Sequence, residues 1–432
     1  MSRLGALNDP RFRRLFTGQA LSSFGDSALY LTLGIWAKTI TGSNAAAGGV
    51  FLALALPTLF APVAGHLADR VRRKTLLIAV NAATALVVLS LLAVRSRDEL
   101  WIIYVVAFCY GASFDLLSAA GAGLRKDMLR GEDLASANAM LQMSSQGLRV
   151  LSPLVGSGLF VAFGGPAVAV FDAVTFGAAI VATASLKITE SEPERSRGTF
   201  WRDTAAGFQH IRAVSLLAQL SLVSAIAFGV TGLGETIIYA VVGEGLHRPP
   251  SFMGVLLSVQ GAGSILAGVT AALLMRRAGA ARTVGLALAC FALASLTYRT
   301  DSLPLVLAGA AIDGLGVVWL SVGLFTAMQR HTPPRLQGRV NGANTMLLIT
   351  PQTVSIAAGA ALIGVVSYRL MLLVVAVVIG GCAVWLLARP APPPAEAEAG
   401  ASELTPRLRQ GGDSRVSPLG WWHGLMCGLA DA

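Results

Sequence analysis

Apolar residues gather in long blocks separated by short polar stretches through residue 388, over approximately 15–37, 45–65, 75–95, 100–122, 135–160, 166–186, 216–241, 251–275, 281–298, 303–327, 339–364 and 368–388. A helix rises about 1.5 Å per residue and a bilayer core is about 30 Å thick, so each block is long enough to cross it. The blocks are rich in Gly and Ala and lack strict alternation. In lipid every backbone polar group has to be satisfied within its own segment, so such blocks predict helices rather than barrel strands. The expected fold is all-α: a polytopic membrane protein with twelve transmembrane helices.

Between the sixth and seventh blocks the texture changes to K-I-T-E-S-E-P-E-R-S-R-G-T-F-W-R-D over the start of a linker at 187–215. Phe200, Thr204, Phe208 and Ile211 recur there on one helical face, with Trp201 and the cations beside them. This predicts an amphipathic helix at the inner membrane interface. The linker divides six blocks from six, and the halves repeat weakly. Ala137-Asn138-Ala139-Met140-Leu141 recurs as Ala343-Asn344-Thr345-Met346-Leu347, and Gly49-Val50-Phe51-Leu52 as Gly254-Val255-Leu256-Leu257. The chain therefore divides into a six-helix half at 1–186, the linker, and a pseudo-symmetric six-helix half at 216–388. From residue 389 it turns to P-A-P-P-P-A-E-A-E-A-G and then to charged, Gly-rich sequence, the composition of a disordered cytoplasmic tail over 389–432.

With 54% hydrophobic and 13% charged residues in 432, the chain carries more apolar surface than a soluble core buries. A net charge of +10 raises nucleic acid as a partner, but the placement of the 33 lysines and arginines removes that reading. Most fall in one alternate set of loops and in the termini. The opposite set holds only Lys38, Arg95, Arg97, Arg248, Arg299 and Arg369, and Arg149 lies inside a block. Cationic loops face the cytoplasm, which places both termini there. Cys109, Cys290, Cys382 and Cys427 have no metal-binding spacing and read as small hydrophobes. No metal, cofactor, nucleic acid or obligate protein partner is expected. The first block serves as its own targeting signal, with no cleavable leader. Neither G-x-S-x-G, H-E-x-x-H nor a phosphate-binding G-x-x-x-x-G-K-S/T occurs, so an enzyme or an ATP-driven pump is not expected.

The segment G-H-L-A-D-R-V-R-R-K-T-L-L, Gly65 to Leu77, joins the second and third blocks at the cationic face. It resembles the loop signature of the major facilitator superfamily, with Gly65, Leu67, Ala68, Asp69, Arg70, Arg73, Lys74 and Leu77 matching and Arg72 standing where that family usually has Gly. The resemblance implies a gating loop in which Asp69 pairs across the bundle in one conformation, and two six-helix halves related along the membrane normal. In the fifth block G-L-R-V-L-S-P-L-V-G-S-G is similar to that superfamily's antiporter motif at Pro153 and Gly156, with other residues at Leu148, Ser152 and Ser157. The S-S-F-G-D-S opening, L-A-S-A-N-A-M-L-Q and G-P-A-V-A-V-F-D-A-V-T-F are similar to the branch of macrolide-efflux and siderophore-export permeases. That branch implies a place in the bacterial inner membrane and export from the bacterial cytoplasm, driven by the proton gradient.

Ionisable side chains inside the blocks are costly, so each is a candidate for function. Asp26 lies eleven residues beyond Leu15, about 16 Å into the membrane; a carboxylate at that depth suits a proton carrier. Arg149 requires a carboxylate or a polar cavity, and Asp26 is its expected partner. Asp115 lies toward the inner half of the fourth block. Glu235 and Asp172 fall toward the outer ends of theirs, where a wet structural carboxylate is the simpler reading. Asp313 is flanked by glycines that permit close packing. Trp36, Trp319 and Phe325 are candidates for stacking on an aromatic substrate, against the plainer reading of packing. The expectation is a secondary transporter with a small-molecule substrate and protons as its partners, the bilayer as its solvent, and Asp26, Arg149, Asp115, Glu235 and Asp313 as coupling or substrate residues. The alternatives are a lysophospholipid or nutrient permease of the same fold, and a non-transporting scaffold or sensor.

Overall fold

The computed structural model of the protein describes residues 5–60, 67, 70–129, 131–188, 200–333 and 336–389, with the side chains of residues 5, 6 and 200–203 and of several fifth-crossing positions, Arg149 among them, outside that description. The described residues are helical and contain no strands. The helices are α1 (Pro10–Thr41), α2 (Asn44–Ala55), α3 (Arg73–Leu89), α4 (Leu100–Met128), α5 (Gly131–Phe163), α6 (Gly165–Ala184), α7 (Phe200–Ala213), α8 (Ser215–Thr231), α9 (Gly234–Ala240), α10 (Met253–Thr297), α11 (Leu303–His331), α12 (Gln337–Leu362) and α13 (Tyr368–Ala388).

These helices lie over all twelve apolar blocks. Eight described segments are by themselves long and apolar enough to cross a membrane. The remaining crossings have identifiable causes. α1 is diluted by Ser22, Ser23, Asp26 and Ser27, the second apolar block is described only as far as Phe60, and the fifth is described only in part. α10 carries the eighth and ninth crossings together, turned at Gly279, whose φ of 73° and ψ of 176° are open only to glycine. The seventh crossing is α8 followed by α9. Between them the ladder tightens, with Leu233 donating to Val230 and Glu235 to Gly232 across three residues instead of four.

Local signals start the first helix. Asp9 caps α1 by accepting from the Arg11 backbone at 2.8 Å, and Pro10 fills the first position, where a missing N–H costs nothing. Within the first half α1 packs on α5 and α6, and α3 on α4 and α6; within the second, α10 packs on α11 and α13, and α8 on α12. The halves meet where α2 packs on α12 and α9, and where α5 packs on α10.

Three buried apolar clusters show how the halves close. One joins both of them: Leu33, Trp36, Val50 and Phe51 from the first, Ile237, Tyr239, Met253 and Ile356 from the second. It lies toward the cation-poor face. At the basic face each half buries its own cluster, Phe12, Leu77, Leu124 and Met128 in the first and Ile211, Leu217, Leu324 and Val340 in the second. Among the described residues no buried apolar cluster joins the halves at the basic face.

The linker helix α7 packs on α12 and α8. Its Thr204, His210 and Ile211 are buried, and the His210 ring nitrogen Nε2 lies 2.9 Å from the His331 carbonyl at the end of α11.

Candidate functional site

The first half carries an acidic centre where α1, α4 and α6 converge. Asp26, partly buried, accepts a hydrogen bond of 2.5 Å from the Tyr110 hydroxyl on α4. Tyr110 is itself buried, and its ring meets Phe176 of α6 edge-on at 6.2 Å. Asp172 of α6 lies against the same turn of α1. It is fully buried, which corrects the expectation of a wet carboxylate near a crossing's outer end. Position along a crossing did not set its exposure; lateral contact with Gly25 did, since a Cβ there would lie 2.5 Å from Asp172 Oδ1. Asp115, one and a half turns beyond Tyr110 on α4, is partly buried and lies near Thr58 of the second crossing.

The second half has a counterpart. Asp313 on α11 accepts from Gln260 Nε2 of α10 at 2.6 Å. Glu235 stands just past the break in the seventh crossing, partly buried and close enough to Asp313 to feel its charge. The two centres share a layout. Asp26 and Tyr30 are four residues apart on α1, and Glu235 and Tyr239 are four apart on α9, on the first crossing of each half. Four residues is one helical turn, so in each case acid and phenol face the same way. Phe51 connects the two tyrosines, with ring centroids 5.3 Å from Tyr30 and 6.1 Å from Tyr239.

Arg149, the expected partner of Asp26, has its side chain outside the described residues. Pro153 and Gly156 of the antiporter-like motif are described. Gly156 admits α1, for a Cβ there would lie 2.7 Å from the Ala28 carbonyl oxygen. On the other flank Gly254 of α10 lies against Ser157 and the Pro153 carbonyl. Proline lacks a backbone donor, and its segment here is the place where α5 touches both halves. Of the aromatic candidates, Trp36 is buried against Gly165 and Phe160, and Trp319 donates to Thr270 Oγ1 at 3.2 Å, so both serve packing, whereas Phe325 is exposed.

In the gating-loop motif Gly65 and Asp69 lie outside the described residues, and Arg70 is exposed. Arg73 and Lys74 tie helix ends together. Arg73 Nη1 donates to Asp127 Oδ2 at 2.7 Å, linking the start of α3 to the end of α4. Lys74 Nζ donates to the carbonyls of Ala184 and Leu186 at 2.9 and 2.6 Å, at the end of α6, where helix carbonyls lack partners and a cation is favoured. Sequence reasoning missed Tyr110, Gln260 and Asp127. In R-K-D at the end of the fourth block, the acid following two cations was the available signal for Asp127.

A twelve-helix bundle in two halves, sealed to each other near one face and holding carboxylates at mid-depth, is the architecture of a membrane transporter. The sequence profile of the Major Facilitator Superfamily matches residues 15–239 and 221–430, and the chain belongs to that family. An uncharacterized MFS-type transporter, YfiS of Bacillus subtilis, is 25% identical over 276 residues, which cover 62% of this chain and 65% of that protein. Among solved structures, the nucleoside transporter NupG superposes with a TM-score of 0.70 at 13% identity, covering 88% of this chain and 98% of that one. A bacterial homologue of the iron transporter ferroportin in an inward-facing state gives 0.66 at 16% identity, covering 88% and 99%. At such identities these likenesses establish the fold.

Proposed function

We propose that the protein exports an amphipathic small molecule, of drug, macrolide or siderophore-like character, from the bacterial cytoplasm in exchange for protons. The observation that carries this reading is the pair of acidic centres, one in each half, inside a bundle whose halves, among the described residues, share a buried apolar cluster toward the cation-poor face alone. The basic face is then cytoplasmic, with both termini on that side of the inner membrane, and the bundle is closed toward the outside. Asp26 and Glu235 take up and release protons as the halves rock about the central site. Asp115, Asp313 and Arg149 complete the polar lining, and the loop from Gly65 to Lys74 latches the cytoplasmic ends in alternate states. Costly buried carboxylates, two of them held by neutral donors from another helix, Tyr110 on Asp26 and Gln260 on Asp313, favour transport over a scaffold, which has no use for them.

The test is accumulation of ethidium and of a macrolide in cells stripped of their own efflux pumps. Expression of the protein should lower accumulation, a protonophore should abolish the effect, and the Asp26→Asn variant should behave like empty vector. Raised accumulation would instead mark a nutrient-type importer, and unchanged accumulation over a broad compound panel would remove the export reading.

A further inference from the structure

Asp172 has no part in the transport scheme above, yet among the described residues it is the one carboxylate that is fully buried. It lies across the α1–α6 contact from the turn that carries Asp26. Asp26 keeps part of its surface open, while Asp172 is sealed between α6 and the Gly25 turn of α1.

Counting donors defines the problem. The Tyr110 hydroxyl is committed to Asp26 Oδ1 at 2.5 Å. The Thr175 hydroxyl donates to the Asp172 backbone carbonyl at 2.7 Å and reaches Oδ1 only at 3.4 Å. Asp172 Oδ2 is buried and has no donor among the described residues. Two carboxylates thus have one well-placed donor between them, and Asp172 lies close enough to Asp26 to feel its charge. In a low-dielectric interior two adjacent bare carboxylates are not sustained, and an acceptor without a donor is costly. A proton answers both deficits, because a protonated carboxyl supplies an O–H donor and removes one of the two charges.

The charged and titratable groups facing Asp172 are few. α1 contributes Asp26, and Tyr110 of α4 lies within range of both acids. α3 has no ionisable residue beyond Arg73 and Lys74, which are engaged at the basic face. α5 carries Arg149, whose side chain lies outside the described residues.

We propose that Asp26 and Asp172 form one site holding a single exchangeable proton, the O–H of one carboxyl donating to an oxygen of the other, with Asp26 as its opening to the interior and Tyr110 as a positioning residue. Because the pair spans the contact of α1 with α6, any shift of one helix on the other changes the separation of the acids and so the hold on the proton. That this proton drives export rests on the transport reading; that it resides here does not.

The experiment is infrared spectroscopy of the purified full-length protein during a pH titration, following the carbonyl band of protonated buried carboxyls. Wild type should show such a band and lose it in a single one-proton step. Asp26→Asn and Asp172→Asn should each abolish that step, and Tyr110→Phe, which leaves both carboxyls in place, should displace the band even if an Asn variant proves unstable. A wild-type protein with no such band, the result expected if Arg149 neutralises the pair, overturns the proposal, as does a titration indifferent to Asp172→Asn. Ethidium efflux from proteoliposomes under an imposed pH gradient is measured in parallel. A wild type that shows the band but no efflux keeps the site and loses the transport reading.

Discussion

Among the described side chains, neutral donors rather than cations hold Asp26 and Asp313, and this choice has consequences for transport. Tyr110 donates to Asp26 and Gln260 to Asp313. A neutral donor stabilises a carboxylate moderately and still leaves it free to exchange a proton, whereas a fixed cation would lock it ionised. A hydrogen bond to a charged group contributes about 1.5–3 kcal/mol, and about 1.4 kcal/mol is a factor of ten in rate or affinity. Tyr110→Phe should therefore lower ethidium efflux against a gradient about tenfold or more while leaving the yield of monodisperse protein unchanged; near-wild-type efflux would show that Asp26 does not need this donor. Asp26 was legible in the sequence because a carboxylate in an apolar block has no ordinary packing reason to be there. Tyr110 was not, since a tyrosine in such a block reads as packing, and its hydroxyl gains meaning only from an acid on another helix. Asp172 was misjudged for the same reason, because depth along a helix is written in the sequence and lateral burial is not.

The basic face is organised by helix ends. The Arg73 and Asp127 side chains are 20% and 6% exposed, so their ion pair is screened less than a surface pair. Removing one partner of a well-buried pair costs about 3–5 kcal/mol, and the partial exposure of Arg73 brings the expected cost of Asp127→Ala to about 1–3 kcal/mol. Thermal unfolding in detergent should show that loss, and the exchanged pair Arg73→Asp with Asp127→Arg should recover part of it, since residues in contact couple. If the exchanged pair is no more stable than the sum of the two single changes predicts, the contact is incidental. The twelve crossings were legible because hydrophobic length is local information, and Arg73 and Lys74 were legible because loop cations are. Their partners Asp127, Ala184 and Leu186 lie far along the chain, brought near by packing that one sequence does not encode in any window. The break in the seventh crossing was likewise hidden, for Gly232 and Gly234 are two glycines among 47.

The seal between the halves explains how two states can differ sharply. Near the cation-poor face side chains of one half enter places kept open by glycine in the other: Thr236 against Gly48, and the Tyr239 ring and hydroxyl against Gly34. At the rim Asn44 Nδ2 donates to Glu244 Oε1 at 2.8 Å across the same interface. Contacts this close have no intermediate setting, so the halves are either seated or apart, the property that alternating access requires. Gly48→Val should prevent seating, because a Cβ would already lie 2.7 and 2.8 Å from Thr236 carbons, and the halves would have to part by more than a side-chain adjustment. The complementary change should lock the seal. With the native cysteines replaced, Asn44→Cys and Glu244→Cys together place two thiols across the interface, and oxidation should cross-link them, stop efflux, and be reversed by reductant, while either single change leaves efflux unaltered by oxidation. Combining Gly48→Val with the two cysteines separates the explanations. If seating is what brings the thiols together, cross-linking slows by about tenfold or more, the factor expected from about 1.4 kcal/mol of steric conflict. Cross-linking at the unmodified rate would mean that the rim closes independently of the glycine seats, and the halves would then move by local adjustment rather than by rocking as rigid bodies.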